Sequence, residues 1–222
     1  MNEMAATKVN VKVWSDYVCP FCMLAEGPLH EATHDLDVEI EWMPFELRPH
    51  PAPTLRPEDE YLPAVWASSV YPMARRMNVD ITLPTVSPQP YTRLAFEGYQ
   101  YAADHGKGAQ YTPRVLRAFF RENRDIGRLD VLTDIAAELG LDDTGFTEAL
   151  TAGTYTETHR AALRTAEAYR ISVVPTIIVD ERHRLEGVPS VSRIRKAVLD
   201  VQAEQAVARG AACGTDGCRE EP

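Results

Sequence analysis

Val9-Asn10-Val11-Lys12-Val13-Trp14-Ser15-Asp16-Tyr17-Val18-Cys19-Pro20-Phe21-Cys22 is the stretch whose reading decides the fold. Its first six residues alternate apolar and polar, the period of a half-buried strand. Beyond it, Met23 to His34 carries Met23, Leu24, Leu29 and Ala32 among polar residues, the pattern of a helix, with a kink expected at Pro28. The Cys-Pro-Phe-Cys motif therefore lies at a strand-to-helix turn. Cys19 falls at the helix N-cap and Pro20 at the first helical position, where a missing N–H costs nothing.

That placement carries chemistry. A thiolate, not a thiol, attacks a disulfide. The free N–H groups and dipole at a helix N-terminus favour a negative sulfur on Cys19. Cys22, one turn further in, can then attack a mixed disulfide formed at Cys19 and release the product. Cys19 is thus the candidate nucleophile and Cys22 the candidate resolving thiol. The competing readings are two structural cysteines or half of a zinc site; the strand–turn–helix context and Pro20 favour redox.

Outward from the motif, Val38 to Pro44 alternates again, with Val38, Ile40 and Trp42 on one face. Strand, helix and strand within so short a span make a βαβ unit with parallel, adjacent strands. Prolines crowd the loop from Pro44 to Pro57. The middle of the chain reads as helical. One helix is expected from Tyr61 to Met77, interrupted near Pro72, and another from Thr92 to His105, stopped by Gly106. Further helices are expected from Thr112-Pro113 to Arg121, from a cap at Asp130 to Leu139, from Asp142 or Asp143 to about Leu150, and from Thr156 to Tyr169. Met73, Met77, Phe119 and Phe120 read as core. The chain then returns to β: Val173 to Val179 is a short, β-branched run, as in a strand buried on both faces. Asp180 to His183 makes a turn, Arg184 to Gly187 pairs back, and a helix capped by Ser190 or Ser192 runs to about Ala208. Pro175, at the mouth of a buried strand, is out of place unless its backbone has a task. A cis Val174–Pro175 bond would turn the carbonyl and N–H of Val174 toward an extended substrate. The small, polar tail that follows holds Cys213 and Cys218 and is expected to be mobile.

Acidic residues outnumber basic ones 33 to 23, a net charge of −10, which argues against general binding to nucleic acid or anionic membranes. Met1 to Lys8 has no apolar signal-peptide core, and no apolar run is long enough to span a bilayer. The expected compartment is the cytoplasm, where structural disulfides are rare, so four cysteines in two close pairs point to catalysis or metal. The histidines form no ligand-spaced cluster except His30 and His34, which read as exposed helix residues.

Together these residues resemble the DsbA family of thioredoxin-fold oxidoreductases, and more closely its cytosolic FrnE-like branch. The similarity rests on Asp16-Tyr17-Val18-Cys19-Pro20-Phe21-Cys22, Pro44-Phe45-Glu46-Leu47-Arg48-Pro49, Gly106-Lys107, Asp125-Ile126, Glu138-Leu139-Gly140-Leu141 and Val174-Pro175-Thr176. It implies an α/β thioredoxin-like fold split by an all-helical insertion. Residues 7–57 and 171–209 would form the two parts of that fold, 58–170 the insertion and 210–222 a tail. It also implies dithiol–disulfide exchange at Cys19 and Cys22 with Pro175 as a cis proline beside them. No cofactor or metal is expected. Pro20, Phe21, Val174 and Thr176 are the candidate substrate-binding residues, and Cys213 and Cys218 a candidate secondary redox pair. Partners would be protein or small-molecule thiols and disulfides, with a thioredoxin or glutathione system behind them, and neither nucleic acid nor membrane.

Three departures from the family pattern stand out. Phe21 occupies a position where many relatives carry Trp or His; a His could donate to the Cys19 thiolate and Phe cannot. Val13 stands six residues before the nucleophile, where relatives often bury an acid. Proton handling then falls to water, Glu46 or Asp16, although both carboxylates are expected to be solvated loop groups. The Cys213/Cys218 pair lies outside the shared region. Two other functions compete with disulfide exchange. One is glutathione-dependent chemistry of the hydroxychromene-carboxylate isomerase and kappa-class transferase type, whose members usually place serine at the nucleophile position. The other is a metal-binding protein using four thiolates.

Overall fold

The structure, a computed structural model, describes residues 8–213, with side chains described to residue 208. Strand β1 (Val9–Ser15) leads through a short turn into α1 (Pro20–Thr33), and β2 (Val38–Pro44) returns beside β1. The β1–β2 pairing is parallel, from Val9 opposite Val38 to Ser15 opposite Pro44. This is the βαβ unit that the alternation predicts. β3 (Thr176–Val179) pairs antiparallel with β1 on its other side, and β4 (His183–Glu186) pairs back on β3. The sheet order is β2-β1-β3-β4, so the strand that leads into the cysteines is internal.

Between β2 and β3 the described chain is helical or irregular. The helices are α2 (Tyr61–Val65), α3 (Tyr71–Met77), α4 (Arg93–Asp104), α5 (Gly108–Phe120), α6 (Leu129–Glu138), α7 (Asp143–Thr151) and α8 (Thr156–Ala168). The last helix, α9 (Val191–Cys213), packs against α1 and touches β1 and β3. Val9, Val11 and Val13 point to the α1–α9 side of the sheet and join a core that continues into the helical region. Trp14, Met43 and Ile178 belong to a second cluster that includes Cys19, Cys22, Val174 and, from α8, Ala166. This is a thioredoxin-like fold split by an all-helical insertion.

Several boundaries differ from the sequence reading, each for a local reason. The interruption expected near Pro72 is a π-helical turn rather than a break in the helical course. The chain passes from α2 to α3 through a π-helical turn, Trp66–Val70, and Pro72 sits in the first turn of α3. α5 begins at Gly108 rather than Thr112, with Pro113 inside it; tertiary packing of Tyr111 and Thr112, both buried, outweighs the proline. Arg128, not Asp130, precedes α6, and Asp130 lies in its first turn. Asp142 does cap α7, its side chain accepting from Thr144 N–H. β3 begins only at Thr176, because Pro175 has no N–H to give the ladder and the Thr176 hydroxyl takes the carbonyl of Val173 at 2.7 Å. α9 runs to Cys213, beyond the expected end near Ala208. The Cys213 side chain, and Cys218 with the rest of 214–222, lie outside the described residues.

Candidate functional site

Cys19 holds the N-cap position of α1 with extended backbone (φ −88°, ψ 112°), and Pro20 is the first helical residue. Its carbonyl accepts from Cys22 N–H at 3.0 Å, and its own N–H donates to the Asp16 carbonyl at 3.0 Å. The tight turn from Asp16 to Cys22 thereby presents the two sulfurs on one side of the helix start. Both are free thiols. They differ in access: Cys19 is 5% exposed and Cys22 1%. The Cys19 thiol donates to the carbonyl of Val174 at 3.7 Å. The Cys22 sulfur accepts from Asp16 N–H at 3.5 Å. Burial, and then the adjoining Cys19 sulfur, pushes the Cys22 thiol well above the ordinary thiol range.

The Val174–Pro175 peptide is cis. Gly187 N–H donates to the Pro175 carbonyl at 2.9 Å, which ties that turn to the end of β4. Val174 is buried, and its carbonyl, expected to face a substrate, is occupied here by the Cys19 thiol. Thr176 is fully buried in β3.

A cavity of about 320 Å³ opens over Cys19. Its wall includes Pro20 and Phe21 from α1, Ser172 to Val174 before β3, Leu47 and Arg48 from the loop after β2, and Leu62, Val65 and Trp66 where α2 enters the π-helical turn. Of the candidate substrate-binding residues, Pro20, Phe21 and Val174 line it. Exposed Leu47, Tyr61 and Val173 form an apolar rim.

Asp16 and Glu46 are not solvated, contrary to the sequence reading. Asp16 is 1% exposed and lines the cavity. Its Oδ2 accepts from Leu47 N–H at 2.7 Å, and Oδ1 has no hydrogen-bond partner. Burial raises its pKa to about 6; the Leu47 N–H bond, with the Thr92 hydroxyl and the Val18 N–H nearby, offsets part of that, and the Glu46 charge adds to it. Glu46 Oε1 lies 2.6 Å from His159 Nε2, and the two side chains are buried together. His159 also stacks on Phe96, with ring centroids 5.7 Å apart. Composition hides both burials because the covering residues come from far along the chain. Gln89 and Thr92 are further buried polar residues on the cavity wall that sequence reasoning missed, and no local pattern marks them. His30 and His34 stack one turn apart, and among the described residues no three His, Cys, Asp or Glu side chains gather to hold a metal ion.

A model of the DSBA-like thioredoxin domain matches residues 10–199. The chain belongs to that family. It is 45% identical over 199 residues to the uncharacterized protein YwbO of Bacillus subtilis (strain 168), which covers 89% of this chain and 99% of the relative. Among solved structures it resembles a probable DsbA oxidoreductase, SCO1869 from Streptomyces coelicolor, with a TM-score of 0.71, 20% identity, and 88% of this chain and 91% of that one covered. It also resembles a 2-hydroxychromene-2-carboxylate isomerase, with a TM-score of 0.66, 17% identity, and 93% and 100% covered. These two structural likenesses concern the fold. No described helix is long and apolar enough to cross a membrane.

Proposed function

We propose that the chain is a cytoplasmic thiol–disulfide oxidoreductase in which Cys19 attacks and Cys22 resolves. The observation that carries this is the inequality of the two sulfurs. Cys19 lines the cavity at a helix N-terminus, while Cys22 sits beneath it, buried and held as a thiol. In the reductive direction the Cys19 thiolate attacks one sulfur of a substrate disulfide. A Cys19–substrate disulfide forms, and the displaced thiolate leaves and takes a proton. Cys22 gives up its proton and attacks the Cys19 sulfur. The second substrate thiolate departs and the protein keeps a Cys19–Cys22 disulfide. Two electrons pass from the dithiol to the substrate, and the reverse sequence oxidises a substrate dithiol. Pro175, next in sequence to the residue whose carbonyl meets Cys19, forms the turn against which the substrate sulfur packs. A thioredoxin or glutathione system would regenerate the starting state.

The test is mass spectrometry of the Cys22→Ser variant mixed with a disulfide substrate. A covalent adduct on Cys19 should accumulate, and Cys19→Ser should form none. Equal adduct formation by both variants, or by neither, refutes the assignment. Under the glutathione-dependent isomerase alternative, turnover would survive Cys22→Ser.

A further inference from the structure

The cavity over Cys19 is mostly apolar, yet Asp16, Gln89 and Thr92, all buried, lie on its wall. Burying a polar group is costly unless it finds a partner. Asp16 Oδ1 has none. Arg48 lines the same cavity, and its Nη1 donates only weakly, at 3.4 Å, to the Pro53 carbonyl. The anion and the cation are held in register by one backbone step, since Leu47 N–H is the group bonded to Asp16 and Arg48 follows it. A mostly apolar hollow with a few placed polar groups is the form of a small-molecule site, and about 320 Å³ lies within the size range of such sites.

We propose that this cavity binds a small amino-acid disulfide, with the ligand's ammonium on Asp16, its carboxylate on Arg48, its methylenes against Leu47 and Val173, and its sulfur at Cys19. The assignment rests on the disulfide-exchange reading and names the substrate class of that same site. Asp16 is ionised near neutral pH, as an ammonium partner requires. Ionised pairs and bidentate guanidinium–carboxylate contacts are the strong hydrogen bonds, and both ends of the ligand would make one. In the reaction the ligand's S–S bond breaks, one half becomes bonded to Cys19 and the other leaves as a thiol. Cys22 then frees the first half, so one disulfide yields two amino-acid thiols and one Cys19–Cys22 disulfide.

The experiment uses four small disulfides on the pre-reduced full chain in single turnover: cystine with both charges, cystamine with the ammonium only, dithiodipropionate with the carboxylate only, and hydroxyethyl disulfide with neither. Each rate is divided by that disulfide's rate with free dithiothreitol, which removes intrinsic reactivity. Cystine should exceed hydroxyethyl disulfide by at least about tenfold, a difference of roughly 1.4 kcal/mol, with the singly charged pair between them. Asp16→Asn should erase the advantage of cystamine, and Arg48→Met that of dithiodipropionate. A purely structural role for either residue would slow all four disulfides together. Four corrected rates within about twofold of one another, or an unfolded protein disulfide that outpaces cystine, would overturn the proposal. A binding arm separates it from the disulfide-exchange reading. Cystathionine, a thioether that cannot exchange, should shift the amide spectrum of the Cys19→Ser variant at the residues lining the cavity. If it binds and no disulfide is turned over, the exchange reading falls and the site stands. If disulfides are exchanged without discrimination and cystathionine does not bind, the site assignment alone falls.

Discussion

Replacing Asp16 by Asn should stabilise the protein at neutral pH, although it alters a buried residue beside the cysteines. The native state raises the Asp16 carboxyl from its ordinary 3.8 to about 6, chiefly through burial. At about 1.4 kcal/mol for each tenfold in the ionisation equilibrium, that difference is a cost of roughly 3 kcal/mol for carrying the charge. The native state thus holds the Asp16 proton more tightly than the unfolded chain does. Its contribution is intact below about pH 3.8, falls as pH rises, and is lost in full above about pH 6. Asn is neutral throughout, and its side-chain oxygen can still accept from Leu47 N–H. Urea unfolding of wild type and Asp16→Asn should therefore give similar stabilities at the acid end. A gap should open in favour of the variant between about pH 4 and 6 and level near 3 kcal/mol above that. At about 2–4 °C per kcal/mol for a chain of this size, thermal midpoints at neutral pH should separate by roughly 6–12 °C. Other titrating groups are common to both proteins and cancel in the difference. A gap independent of pH, or a variant less stable than wild type at pH above about 7, would refute the argument that Asp16 is a desolvated charge.

Glu46→Ala removes one member of the buried pair with His159, whose Nδ1 already lacks a partner; a loss of about 3 kcal/mol in urea unfolding is expected, with no adduct lost at Cys19. Gly98→Ala would drive a methyl into the Tyr111 hydroxyl and set it 2.9 Å from Phe146 Cζ. Both rings lie in the core, so overpacking should cost about 1–3 kcal/mol, read by the same unfolding curves. Trp14 shares its apolar cluster with Cys19 and Cys22. Its emission should change when the pair is oxidised, and the change should vanish in Trp14→Phe.

The parts of this molecule that the sequence announces are those encoded over short distances. The alternation of Val9 to Trp14, the N-cap cysteine and the following Pro20 are each set by residues within one turn or one strand, and the βαβ pairing follows from them. Pro175 is legible for a similar reason: a residue without an N–H inside an apolar β-run must stand at a boundary, and β3 does begin just after it. The start of α5 is not legible because the propensity of Pro113 says nothing of the tertiary partners of Tyr111 and Thr112. The Tyr17 and Thr112 hydroxyls meet at 3.1 Å, a contact that crosses from the strand-to-helix turn into the helical region.

The carboxylates misled for the same reason with larger consequence. In sequence Asp16 and Glu46 stand just past the ends of two strands, in turns or loops, where a carboxylate is ordinarily solvated. What buries Glu46 is His159, separated from it by 113 positions, and what walls Asp16 in is Leu47 with the segment around Gln89 and Thr92. No periodicity encodes those approaches; they exist only once the helical insertion has folded back over the cysteine turn. The consequence is a division of labour. The residues that would carry the proposed chemistry, Cys19 and Cys22, lie in one local motif. The residues that would select the molecule on which it acts come from both sides of the insertion: Asp16 and Arg48 before it, Gln89 and Thr92 within it, and Val173 and Val174 after it. Changes in the insertion can therefore alter what enters the cavity while the local geometry of the two sulfurs stays as the strand-to-helix turn sets it.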